Sequence, residues 1–142
     1  MLGVSVRGFE RLDILFDRIE EAVDPELVLD EAGAILLNRI RSRFLKQVDP
    51  DGRPWIQSRA AIRRREKTGR EGTLFDKGNL FRSIQLANRG PLTRGVFTDI
   101  PYGRKHQEGL DGMDKRVFLG FGGTDSTIIE KLLVNRLNRA RK

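Results

Sequence analysis

Three stretches of this 142-residue chain place chemically capable residues close together. The single histidine, His106, lies between Lys105 and Gln107, with Glu108 two positions on. A catalytic imidazole needs an orienting partner and a nucleophile to activate. Ser83, Ser126 and Thr127 are present but form no recognisable frame with it, so His106 is expected in a turn or a subunit contact. The run Gly120-Phe121-Gly122-Gly123-Thr124 sits where a strand would hand over to a helix, the place of phosphate-binding loops. Its spacing fits neither G-x-G-x-x-G nor G-x-x-x-x-G-K-[ST], and no lysine follows, so a strand end with a helix cap is the cheaper explanation. Asp49-Pro50-Asp51-Gly52 opens like a calcium loop, but position five is Arg53 and position twelve is Ala60, which leaves a tight turn.

Composition narrows the chemistry further. The chain has no cysteine, which removes disulfide frameworks, thiolate zinc sites and cysteine nucleophiles. One histidine makes a multi-histidine metal site within one chain impossible. No catalytic set, no cofactor and no metal site is therefore expected. The longest apolar run is Ala34-Ile35-Leu36-Leu37, far short of the ~20 residues that span a bilayer. No signal-peptide core is visible after Met1, so a protein of a reducing compartment, with no membrane partner, is expected.

Lysine and arginine number 27 against 20 acids, a formal net charge of +7. That charge is unevenly placed. Residues 10–31 hold nine acids (Glu10, Asp13, Asp17, Glu20, Glu21, Asp24, Glu26, Asp30 and Glu31) against Arg11 and Arg18, a local balance of −7. The remainder carries +14. Its densest cluster is a basic surface of Arg59, Arg63, Arg64, Arg65, Lys67 and Arg70, and a second basic run closes the chain. Opposite charges on separate segments of one small domain can pair internally, or between identical copies, head to tail around a ring. The alternative is a basic, non-sequence-specific nucleic-acid-binding accessory protein held by salt-sensitive phosphate contacts. No aromatic interleaves the basic cluster, so a base-stacking platform is not expected.

The elements that must position these residues follow from periodicity. Leu2, Val4 and Val6 alternate, as in a short strand. Phe9, Leu12, Phe16, Ile19 and Val23 recur every three or four residues, predicting an amphipathic helix that ends at Asp24-Pro25. Asp24 then caps a long helix with Pro25 in its first turn and an apolar stripe of Val28, Ala32, Ile35, Leu36, Ile40 and Phe44. Ser58 caps a short basic helix to about Lys67. A helical turn from Asn79 runs into a strand at residues 84–88, paired with a second strand at 95–100. Residues 101–109 form a turn or short helix, residues 117–121 a last strand, and Thr124 or Asp125 caps a final helix with Ile128, Ile129, Leu132, Leu133 and Leu137 inward. The expectation is one α+β domain over residues 1–142. A small antiparallel sheet packs against a long helix in the N-terminal half and a C-terminal helix, with mobile loops near 49–58, 68–78 and 109–116.

Four segments, in order, resemble one family. Asp49 to Trp55 is similar to its D-x-x-G-x-P-W element, and Leu74 to Ile84 to its L-x-x-T-G-x-L-x-x-S-I element. Tyr102 to Gly109 resembles its Y-A-x-x-H-Q-x-G element, and Arg116 to Gly120 its R-P-F-L-G element. The family is that of the tailed-phage virion morphogenesis or tail-completion proteins of Mu-like and related phages. Lys77, Gly103, Glu108 and Val117 depart from its pattern. The resemblance implies a non-enzymatic virion structural protein that acts in tail completion and head–tail joining, as a neck or tail-terminator ring. It implies a homo-oligomer, a hexamer in the family pattern, whose partners are the tail tube protein and head–tail connector proteins. DNA would pass through the lumen without specific binding, and assembly would take place in the host bacterial cytoplasm before incorporation into the virion. Tyr102, His106, Gln107, Arg116, Phe118 and Trp55 are the expected subunit or neighbour contacts, with Phe118 and Leu119 anchoring that region to the core.

Overall fold

The computed structural model describes residues 2–7, 24–69, 72–74, 78–90 and 93–140, the side chains of 2–7, 25, 89, 137 and 140 excepted. The helix expected over residues 9–23, Arg70 and the side chain of Leu137 lie outside the described residues.

The first strand, β1 (Leu2–Arg7), is followed by the long helix α1 (Pro25–Lys46). Asp24 caps α1 as expected: its carboxylate accepts the Glu26 N–H at 2.9 Å, and Pro25 fills a position whose N–H would otherwise be unpaired. Glu26 lies in its first turn and Arg43 and Lys46 in its last, matching the helix dipole. The helix stops at Gln47, a left-handed residue at φ 60°. Next come α2 (Arg59–Thr68), capped by the Ser58 hydroxyl on the Ala61 N–H, and the single turn α3 (Asn79–Ser83). Strands β2 (Gln85–Gly90) and β3 (Thr93–Thr98) lead into α4 (Pro101–Glu108), and α5 (Gly123–Ala140) closes the described chain.

The sheet is antiparallel in the order β1-β3-β2. Leu2 pairs with Thr98 and Arg7 with Thr93 on one side of β3, while Gln85 pairs with Phe97 on the other. A register shift between Asn88 and Gly90 accommodates the hairpin end. Helix α1 lies across this sheet, and Gly33 lets it come close. A Cβ there would stand 2.8 Å from a Leu86 methyl and 3.3 Å from Arg94 Cβ.

Leu36, Ile40 and Phe44 of α1 meet Leu80, Ile84, Val96, Trp55, Phe118 and Leu119 in one core. Phe44 is its centre, with ring centroids 5.2 Å from Trp55, 5.6 Å from Phe81 and 6.0 Å from Phe118. This is the mixed α+β architecture that the residue pattern predicts.

Two expectations change. Residues 117–121 form no strand. The backbone of this segment pairs with side chains instead: Gln107 accepts from the N–H groups of Phe118 and Leu119 and donates to the Leu119 carbonyl, and Trp55 donates to the Val117 carbonyl. Arg43 takes the Gly120 carbonyl at 2.9 Å. With its polar groups satisfied this way, the segment needs no strand partner. Nor does Thr124 or Asp125 cap α5 from outside. Asp125 lies within the first turn and reaches back to the Gly122 N–H at 2.8 Å.

The expected loops carry many hydrogen bonds. The Asp49 carboxylate accepts from the N–H groups of Asp51 and Arg53, closing the turn, and Trp55 N–H donates to the Gln47 carbonyl. Thr73 is buried, with its N–H donating to Gln47 Oε1 at 2.5 Å and its hydroxyl accepting from Ser58 N–H. Arg116 N–H donates to the His106 carbonyl at 2.7 Å.

Candidate subunit-contact site

Helix α4 begins after Ile100 because Pro101 cannot continue a strand ladder but suits a helix start. Tyr102 and His106 are one turn apart on it and meet edge to face, with ring centroids 6.3 Å apart. They form one wall of a groove of about 870 Å³. Met113, Asp114 and Arg116 supply its edge, and Arg59 and Arg64 of α2 face them. Tyr102 and Met113 are exposed large side chains on this rim.

Beneath the rim the contacts are internal. Arg116 is buried, its guanidinium donating to the Ile56 carbonyl at 2.6 Å and more weakly to Asp114. Gln107 is half-buried and fixes residues 118 and 119. Phe118 and Leu119 are each 1% exposed and anchor the segment in the core, while Trp55 is 8% exposed. Of the six predicted contact residues, Tyr102 and His106 therefore reach a surface. Trp55, Gln107, Arg116 and Phe118 hold the subunit together from within.

His106 Nδ1 is buried with no hydrogen-bond partner among the described residues, so no carboxylate orients the ring through that nitrogen. Burial lowers its pKa below the ordinary 6.5, and the nearby Arg116 charge lowers it further. An orienting carboxylate would do the opposite. Ser83 Oγ bonds to the Leu80 carbonyl and to Thr98 Oγ1, with no histidine involved. Among the described residues no group of three or more His, Cys, Asp or Glu could hold a metal ion. No described helix is long and apolar enough to cross a membrane.

The basic cluster divides on the surface of α2. Arg59, Arg63 and Lys67 are exposed at four-residue spacing, one ridge with no ion pair among the described residues. Arg64 instead donates to the Gly72 carbonyl at 2.9 Å. Elsewhere opposite charges meet inside the subunit. Asp125 is fully buried between Arg39 and Arg43, Arg94 bonds Asp30 at 2.5 Å, and Arg136 pairs with Glu31. Burial works against ionisation of Asp125. The hydrogen bond from Arg39, the Gly122 N–H and the bond and charge of Arg43 outweigh it, so its pKa lies below the ordinary 3.8.

The sequence profile of the phage virion morphogenesis family matches residues 9–138. The chain belongs to that family. Comparison with curated proteins and with solved structures returns no significant match.

Membership in the phage virion morphogenesis family supports a structural role in the virion or its assembly. The geometry gives the family's motif residues physical work. Gln107 and Arg116 lock the segment carrying Phe118 onto α4, and Trp55 locks it onto the turn after α1.

Sequence reasoning did not single out a second groove, of about 430 Å³, between the end of α1 and α2. Leu45 and Ile62 line it and are 61% and 42% exposed. A signal for it was present: Leu45 falls one position off the α1 stripe that ends at Phe44, so it cannot share that buried face.

Proposed function

We propose that this protein acts in tail completion and head–tail joining, as a ring of identical subunits at the neck or tail end. The family match over residues 9–138 carries this reading. The uneven charge supports a closed assembly: Asp30 and Glu31 pair within the subunit, and the other acids of the −7 segment are available to the cations of a second copy. The rim of Tyr102, His106 and Met113 is the surface on which a neighbour in the joint would sit.

Two observations on virions test it. Labelling the protein in purified tails should mark one end, and label spread along the tail overturns the reading. Supplying Tyr102→Glu as the sole copy should give unjoined heads and tails in electron micrographs. A normal virion yield removes the rim from the joint.

The exposed ridge of Arg59, Arg63 and Lys67, with no ion pair among the described residues, favours a second reading, a basic accessory protein on nucleic acid. Three phosphate contacts would give a log–log salt slope of about −2.7 on duplex DNA. Binding with that slope, abolished by Arg59→Glu/Arg63→Glu, would support it.

A further inference from the structure

The groove between the end of α1 and α2 has an apolar floor and a cationic rim. Val48, Pro54, Trp55 and Ala61 form the floor, and Leu45 and Ile62 stand exposed at its sides. Lys46 and Arg65 line the rim, and α2 as a whole carries five cations against Glu66. The fitting occupant is an amphipathic segment with apolar and acidic faces. This chain contains one. Residues 9–23 carry Phe9, Leu12, Phe16, Ile19 and Val23 at helical spacing, alongside Asp13, Asp17, Glu20 and Glu21.

Chain length decides which copy supplies it. Residues 8–23 join Arg7, the end of β1, to Asp24, the cap of α1. Both anchors lie at one end of the subunit. Arg7 pairs with Thr93, and the adjacent Arg94 bonds Asp30 in the second turn of α1. The groove lies at the other end, beside Leu45 and Lys46. From Asp24 to Leu45 the helix rises about 31 Å, and from the level of Asp30 about 22 Å. Going out and back over those distances takes about 15 or 16 fully extended residues. That consumes the whole connection and leaves none to lie in the groove. A helical segment falls shorter still.

We propose that this groove receives residues 9–23 of a second copy, apolar face inward and acids toward Lys46, Arg65 and α2. This is the helix-in-groove mode of recognition, repeated head to tail. It deepens the ring reading above and rests on it.

The test uses full-length protein. By sedimentation velocity the wild type should self-associate with rising concentration. Lys46→Glu/Arg65→Glu and Asp13→Lys/Asp17→Lys should each weaken association at least tenfold. An equimolar mixture of the two variants should restore it, because each supplies the partner the other now matches. In a second measurement, differently tagged Ile62→Cys and Phe16→Cys copies are mixed and oxidised. The chain has no other cysteine, so a covalent heterodimer reports the contact directly.

A heterodimer together with rescue by mixing supports the proposal. The proposal is overturned by failure of both, by a disulfide that forms only within a chain carrying both cysteines, or by a wild type that stays monomeric and uses the groove to bind duplex DNA. Association that survives both charge reversals removes this groove and leaves the ring reading intact. Rescue by mixing in a protein absent from tails removes the ring reading and leaves the docking.

Discussion

Replacing Gln107 by alanine should loosen residues 117–120, which carry Phe118 and Leu119 of the core, while removing no core side chain. The carboxamide donates to the Leu119 carbonyl at 2.6 Å and accepts from the N–H groups of Phe118 and Leu119 at 3.0 Å each. Three hydrogen bonds contribute about 1 kcal/mol each, so their loss costs about 3 kcal/mol. Both N–H groups belong to residues that are 1% exposed, and leaving them unpaired raises the loss to about 5 kcal/mol. For a domain of this size that is a fall in Tm of about 10 to 15 °C. Urea unfolding gives the free energy, with an unchanged m-value as the sign that only stability moved. The chain supplies its own reporter, because its single tryptophan, Trp55, donates to the Val117 carbonyl in the same segment. Emission should shift to the red before the main transition as that indole gains water. Gln107→Glu keeps the two accepted bonds and loses only the donor, so its loss is about 1 to 3 kcal/mol and shrinks as the new carboxyl is protonated. A Gln107→Ala protein within about 0.5 kcal/mol of wild type, with unchanged emission, would refute the claim that side chains substitute for a strand partner.

Asp125→Asn leaves Arg43 buried without its counter-charge and should cost about 3 to 5 kcal/mol by denaturant unfolding. Because the folded Asp125 pKa is depressed below 3.8, its contribution is whole above about pH 4 and is lost as pH falls through the folded value. The wild type should therefore show an acid limb that the asparagine variant lacks. Gly122→Ala would set a Cβ 2.1 Å from the Pro50 carbonyl oxygen and should destabilise by more than about 2 kcal/mol. Gly123→Ala meets nothing within 4 Å in the first turn of α5 and should gain about 0.5 kcal/mol in the same melt. His106 should titrate below 6.5 by NMR, and its contribution to stability is present above that pH and lost below it.

The parts legible in the sequence are those whose cause is local. Helix α1 announces itself through Asp24-Pro25 and an apolar stripe that continues to Phe44, and α2 through Ser58 three residues before the Ala61 N–H it caps. The segment at 117–121 was misread because its apolar run has the composition of a strand, while its hydrogen-bond partners lie elsewhere. Gln107 is eleven residues back, Trp55 sixty-two and Arg43 seventy-seven. Arg39 and Arg43 bond a carboxylate, Asp125, that lies more than eighty residues on, and nothing in their own stretch of sequence points to it. Motif position located the candidate contact region but could not divide it. Tyr102 and His106 point outward, and Arg116 and Gln107 from the same motifs point inward. Burial separates Tyr102 from Arg116, and hydrogen bonding to residues 118 and 119 separates Gln107 from His106.

The bridge from Asp125 to Arg39 and Arg43 also sets how the subunit carries mechanical load. The two arginines lie one helical turn apart on α1 and hold different oxygens of one carboxylate at the start of α5. A pull that drags α5 along α1 strains both links in parallel, so neither gives way first and the load is shared. A pull directed away from α1 loads them in the same ratio, and the Gly122 N–H adds a third tether on the same group. Single-molecule stretching between Pro25 and the end of α5 should therefore show one abrupt rupture rather than a staircase. That places the yield point of the subunit at one buried carboxylate, Asp125.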